Sequence, residues 1–223
     1  MIRIAIDGPS GAGKSSVAKL IARKLGIIYV DTGALYRTVG LYVRDKGIAR
    51  TDADGILSCL PEISIEMRYE AGGQRVFLNG KDPGDRIREP EISMYASAVS
   101  ALPAVRQFLL STQRNVAEKN SVIMDGRDIG TVILPGADVK VFLTASDEAR
   151  ARRRTLELQE KGMPADYESV LREMRERDGN DRNRAVAPAV AAPDAVLLDN
   201  SDLSVEETAD EIIRLCREKG ALE

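Results

Sequence analysis

The chain has no histidine among its 223 residues. That absence excludes Ser-His-Asp and Cys-His nucleophilic sites, histidine-ligated zinc and histidine general base catalysis. Cysteine is scarce as well: Cys59 and Cys216 stand far apart and fit no metal or redox spacing. Two isolated thiols suit a reducing compartment better than a disulfide framework. Long apolar runs are missing. "MIRIAI" is too short for the core of a signal peptide, and Pro188 and Pro193 interrupt the apolar stretch "AVAPAVAAPDAVLL". No run approaches the ~20 residues that span a bilayer. A bulk excess of either charge is also lacking, since the formal net charge is −3. That balance gives no reason to expect a nucleic-acid or membrane partner. What remains is an expected cytoplasmic protein of ordinary globular composition, long enough to bury a core.

Organisation is read from periodicity. Residues 2–6, "IRIAI", predict a short buried strand, followed by the glycine-rich "DGPSGAGKSS". From Lys14 to Leu25 the apolar positions Val17, Leu20, Ile21 and Leu25 recur at helical spacing, and Gly26 stands where a helix-ending glycine belongs. "IIYV" (27–30) predicts a second strand, completing a βαβ unit with a right-handed crossover. Between about 62 and 82, "ISIEMRYE" and "QRVFLNG" alternate apolar and polar residues around "AGGQ". This is the pattern of an antiparallel hairpin with a glycine turn. Helical spacing returns over Val105–Val116. "SVIM" (121–124) predicts another buried strand, "VKVFLTA" (139–145) and "AVLLD" (195–199) two further strands, and "SVEETADEIIRLCREKG" an amphipathic helix capped by Ser204. The expected fold class is α/β: a parallel, doubly wound sheet with a small antiparallel β insert, and no linker separating two domains.

Gly8 to Ser15 spell G-P-S-G-A-G-K-S, the complete P-loop pattern, between a strand and a helix. Glycines let backbone N–H groups converge on phosphate oxygens, and the helix N-terminus adds a favourable dipole. The chain is therefore expected to bind a nucleoside triphosphate. The contacts would be Gly8, Pro9, Ser10, Gly11, Ala12, Gly13, Lys14, Ser15 and Ser16, with Lys14 on the β- and γ-phosphates and Ser15 on Mg²⁺. Motors, switches and small-molecule kinases all share this loop, so the acceptor must be read elsewhere.

Four clusters bear on that question. "VDTGALYR" (30–37) offers the Thr32 hydroxyl and Arg37, with a plain helix cap as the competing explanation. "DGRDIGT" (125–131) follows a buried strand with Asp125, Arg127 and Asp128. In "RDGNDRNR" (177–184), Arg177, Asp181 and Arg184 would share one stripe if the segment is helical, as a ligand wall or as a solvated ion-pair face. In "EARARRR" (148–154), Arg150, Arg153 and Arg154 would repel one another unless an anion visits, which fits a mobile lid delivering arginines to a transferring phosphoryl group better than a solvent-facing basic helix. Arginine grips phosphate bidentately and carboxylates accept from amino groups, so the acceptor suits a nucleoside monophosphate.

These motifs resemble the bacterial-type cytidylate kinase family along essentially the whole chain, through "IAIDGPSGAGKSSVAKLIARKLG", "YVDTGALYR", "MDGRDIGT", "FLTAS", "RDGNDRNRAVAP" and "LLDNSDLSVEE". The resemblance implies a P-loop nucleoside monophosphate kinase that phosphorylates CMP or dCMP. It implies that Thr32, Arg106, Asp128 and Arg184 contact cytosine, that Ser97, Arg177 and Asp181 hold the sugar, and that Arg37 and Arg127 hold the acceptor phosphate. Thr32 stands where the family often has serine; both supply a hydroxyl. The region 62–96 would be the monophosphate-side insert and 147–180 the arginine-rich helical lid of one kinase domain spanning 1–223. The expected catalytic set is Lys14, Arg37, Arg127, Arg150, Arg153 and Arg154, with Ser15 and Asp125 toward Mg²⁺. The expected partners are ATP and CMP or dCMP alone, with the protein a monomer. Two other readings stay open: a P-loop kinase for UMP, AMP or shikimate, and a nucleotide-dependent switch without turnover.

Overall fold

The computed structural model describes residues 1–70, 73–160 and 162–222. Its contacts divide into two compact units, Met1–Ile28 with Asn120–Glu223 and Tyr29–Lys119.

The first unit is built on a twisted parallel sheet. β1 (Arg3–Asp7) feeds the glycine loop and then α1 (Lys14–Leu25), which ends where Gly26 takes a left-handed φ of 64°. β2 (Ile28–Asp31) begins at the unit boundary. The sheet order is β2-β5-β1-β6-β7, with β5 at Val122–Gly126, β6 at Val139–Thr144 and β7 at Val196–Asp199. β1 pairs in parallel with both β5 and β6, so the chain winds away from β1 first to one side and later to the other. Ligand crevices of such sheets open at the carboxyl ends of the strands beside that reversal. β1 and β5 are buried on both faces, which explains their continuous apolar runs.

Two helices follow β6: α6 (Asp147–Glu160) and α7 (Tyr167–Asn183), which pack through Ala151, Val170, Leu171 and Met174. α8 (Val205–Glu218) closes the chain. Ser204 caps it in a reciprocal box, accepting from the Glu207 N–H while the Glu207 carboxylate accepts from the Ser204 N–H.

The second unit holds α2 (Thr32–Asp45), α3 (Ala53–Cys59), the antiparallel pair β3 (Ile65–Glu70) and β4 (Gly73–Leu78), α4 (Pro90–Ser100) and α5 (Pro103–Lys119). Ala71 and Gly72 of the expected glycine turn lie outside the described residues. The unit has its own core, with Leu35, Leu41, Ile56, Ile92, Val99 and Leu109 fully buried. No helix among the described residues is long and apolar enough to cross a membrane.

Candidate active site

In the first unit the glycine loop is shaped by close approach. A Cβ on Gly8 would fall 1.9 Å from the Leu143 carbonyl oxygen of β6, so only glycine fits. Gly11, at φ +70°, leaves room for the Met174 side chain of α7, which a Cβ would meet at 2.7 Å. α1 starts at Lys14 with no side-chain cap and no acidic residue in its first turn. Its leading N–H groups and positive dipole end thus meet no competing carboxylate of their own turn, as an anion site requires.

Lys14 is buried and its Nζ donates to the Pro9 carbonyl at 2.6 Å. Burial, with the Arg127 charge beside it, drives this ammonium well below the usual lysine range, against the opposing Asp125 carboxylate. Ser15 Oγ donates to Asp125 Oδ2 at 2.8 Å, and Asp125 is buried at the end of β5. The strand end therefore delivers a carboxylate to the loop hydroxyl, which are two hard oxygen donors. That pair fits Mg²⁺, which takes few protein ligands and completes its shell with water and phosphate oxygen. No cluster of three or more acidic or thiol groups suited to a metal occurs among the described residues.

Arg127 spans the site. Its Nη2 donates to Ser10 Oγ of the loop at 3.0 Å, and its Nε to Asp181 Oδ2 of α7 at 2.9 Å. Burial raises the Asp181 carboxyl, but Arg127, Arg177 and Arg184 outweigh it and hold that group below the usual carboxylate range. Asp128, also buried, faces Arg184 at 3.6 Å. α7 carries Arg177 and Asp181 and stops at Asn183, and Arg184 is its cap, with a helical φ of −65° and an extended ψ of 142° that turns the following chain away. Its side chain lies 3.8 Å from Asp181, three residues earlier, as neighbours on one helical face do.

The three α6 arginines do not face one another in mutual repulsion. Arg150, only 4% exposed, is paired with Asp147 and Asp178 and donates to the Ser10 carbonyl at 2.6 Å. Arg153 donates to Asn200 O at 2.6 Å and Ser201 O at 3.1 Å, and Arg154 to Glu157 at 2.8 Å. The expectation that an anion must offset their repulsion is corrected: protein oxygens satisfy them in this state.

The second unit carries the other expected residues. Thr32 opens α2 and is buried; Asp31 caps that helix, accepting from the Ala34 N–H at 3.0 Å. The helix-cap explanation therefore holds for Asp31, and Thr32 is the first residue of the helix behind that cap. Arg37 donates to Ser93 Oγ of α4 at 2.9 Å. Arg106 donates to the Ser100 carbonyl at 3.1 Å and lies 5.5 Å from the Tyr36 ring centroid. Ser97 sits half-buried on α4.

Three residues escaped the sequence reading. Asp178 accepts from the Ser10 N–H at 2.8 Å and ties α7 to the loop. Asn200 Nδ2 donates to the Ala12 carbonyl at 3.1 Å. Asp7 accepts from the Ile129 and Gly130 N–H groups, and burial pushes its carboxyl up to about 6. "RD" at 177–178 was a usable signal, because Asp178 is one residue from a position already singled out. Asp7 and Asn200 have partners 122 and 188 residues away, which no local pattern reveals.

The family model for cytidylate kinase matches residues 4–218. The chain belongs to the cytidylate kinase family. Among curated relatives it is 50% identical over 217 residues to the cytidylate kinase of Fervidobacterium nodosum, covering 97% of each chain. It is 48% identical over 214 residues to that of Caldicellulosiruptor saccharolyticus, covering 96% of this chain and 95% of the relative. A solved structure of an uncharacterized protein from Eubacterium ventriosum is similar in fold, with TM-score 0.54 at 15% identity over 97% of this chain and 99% of that one. Membership gives the strand-end residues above a common context: the P-loop, the Asp125–Asp128 stretch and the α7 acid-base residues all fall within the matched range.

Proposed function

We propose that this chain transfers the γ-phosphoryl group of ATP to CMP or dCMP, releasing ADP and CDP or dCDP. The observation that carries the reading is Arg127, which joins the P-loop at Ser10 to the α7 carboxylate Asp181. One guanidinium between a phosphate cradle and a hydroxyl-binding carboxylate is the arrangement an acceptor phosphate and its sugar call for. Family membership supports the same conclusion.

Phosphoryl transfer needs in-line placement and charge neutralisation more than covalent help, so the missing histidine is no obstacle. The P-loop N–H groups and Lys14 hold the triphosphate. Arriving phosphates raise the proton affinity of Lys14, whose burial otherwise favours the neutral amine. Ser15 and Asp125 would hold Mg²⁺, which when bound supplies charge neutralisation at the phosphate oxygens. Arg37 and Arg127 take the acceptor phosphate; Ser97, Arg177 and Asp181 take the sugar. Thr32, Arg106, Asp128 and Arg184 take cytosine, with Asp128 accepting from its exocyclic amino group. Residues 62–96 serve as the monophosphate-side insert and 147–180 as the lid of one kinase domain. Its arginines, Arg150, Arg153 and Arg154, would exchange protein oxygens for phosphate on closure, which also excludes water. We take the protein to act as a cytoplasmic monomer on small molecules alone.

A coupled ADP-release assay with CMP, dCMP, UMP, AMP and shikimate tests this. Acceptor-dependent release with CMP or dCMP is expected. Preference for another acceptor would redirect the reading within the kinases, and slow acceptor-independent hydrolysis alone would point to a switch.

A further inference from the structure

Asp7 is the last residue of β1 and directly precedes the glycine loop. Its carboxylate, 4% exposed, accepts from two consecutive backbone N–H groups, Ile129 on Oδ1 and Gly130 on Oδ2, each at 2.7 Å. Those two N–H groups open a single π-type turn, Ile129–Ile133, that follows β5. The turn's own bonds begin later. The Val132 and Ile133 N–H groups donate to the Asp128 carbonyl, and that of Leu134 to the Ile129 carbonyl. Leading N–H groups of a helical turn have no partner within it and must find one elsewhere. The residue placed to supply it locally is Asp128, yet its side chain makes no capping bond.

Asp7 thus caps the turn from a neighbouring strand. A carboxylate is suited to two adjacent donors because it offers two acceptor oxygens and no hydrogen; an amide would turn a donor toward one N–H. The fit is close, since a Cβ on Gly130 would meet Lys140 Cδ at 3.2 Å and Asp7 Oδ2 at 3.4 Å. Asp7 keeps this position although the like charge of Asp128 opposes it. A buried carboxylate that faces both burial and a like charge is costly to keep, so its role must lie in what it holds.

We infer that Asp7 is a positioning residue for acceptor recognition: by capping the Ile129–Ile133 turn it fixes the Asp128 backbone and with it the aim of the Asp128 carboxylate, which lies 3.6 Å from Arg184. The inference rests on the reading of Asp128 as a cytosine contact. It also links the residue before the triphosphate cradle to the residues that select the acceptor.

The test is steady-state kinetics of Asp7→Asn with CMP and UMP, alone and combined with Asp128→Ala. Asp7→Asn is expected to raise KM for CMP about tenfold and lower the CMP-over-UMP ratio of kcat/KM, while KM for ATP stays within about twofold. On the Asp128→Ala background it should change that ratio by less than about twofold, because residues acting as a unit are non-additive. Equal loss for CMP, UMP and ATP, or full additivity with Asp128→Ala, would overturn the inference as mere structural damage. If Asp7→Asn yields no folded protein, Gly130→Ala crowds the same contact from the turn, its Cβ falling 3.2 Å from Lys140 Cδ and 3.4 Å from Asp7 Oδ2. It should give the same split between CMP and ATP, and an unchanged CMP-over-UMP ratio would overturn the inference equally. Wild-type turnover of CMP, measured first, separates the two levels: its absence sinks the functional reading, whereas its presence with an intact ratio in the variant sinks this inference alone.

Discussion

At the residue scale, Lys14 and Asp128 are both buried polar groups, but they are expected to fail differently. Lys14 lies against the loop carbonyl of Pro9, so its amine is held inside the cradle, where an arriving triphosphate would favour its charged form. Its attraction strengthens as charge shifts during transfer. Lys14→Ala should lower kcat by about 10²–10³, with the unfolding midpoint little changed. A near-normal kcat would remove Lys14 from the chemistry. Asp128 is matched by Arg184 instead of a loop group, and its proposed work is recognition. Asp128→Ala should reduce CMP-over-UMP selectivity by roughly 1–3 kcal/mol, the usual cost of a polar partner left unmet. An unchanged ratio would take Asp128 out of base recognition.

At the element scale, what the sequence disclosed depended on how local the cause of each element is. α1 runs over Lys14–Leu25 as its apolar spacing requires, because the P-loop before it and Gly26 after it are local signals. The strands shift by only a residue or two: β1, β5 and β6 are buried, continuous apolar runs, whereas β7 keeps its place although Leu197 is exposed. α4 was missed although Pro90 marks its first turn and Ile92, Ala96 and Val99 are buried at helical spacing. The π-type turn and its cap by Asp7 were not legible at all, because a cap supplied from another strand leaves no mark near the turn. The arginines of α6 were identified, but their carboxylate and carbonyl partners were not. α8 offers an element-scale test. Its capping box joins Ser204 and Glu207, and its apolar face buries Ala209, Ile212, Ile213 and Cys216. Ser204→Ala should cost about 1 kcal/mol in urea unfolding while kcat at low denaturant stays unchanged. A loss below a few tenths would mean that packing alone fixes the start of the helix.

At the scale of the whole molecule, the missing histidine returns as a statement about pH. Histidine is the side chain whose unperturbed charge changes between about pH 5 and 8. Without it, the stability profile there must be set by groups displaced from their ordinary range, and Asp7 is one, pushed up to about 6 from 3.8 chiefly by burial. The sign follows from proton counting. Between 3.8 and about 6 the folded state holds a proton on Asp7 that the unfolded chain has released. Stability from this group therefore rises as pH falls through about 6 and is complete below 3.8. The full span is on the order of 3 kcal/mol, from about 1.4 kcal/mol per unit of pKa difference. Asp181, held low by its arginines, acts oppositely, and its contribution is lost only as pH drops below the usual carboxylate range. Urea midpoints measured at pH 7.5 and 5 should accordingly show a gain on acidification in the wild type that is absent in Asp7→Asn. Parallel profiles for the two proteins would mean that Asp7 titrates at its ordinary value, with its two N–H donors outweighing burial.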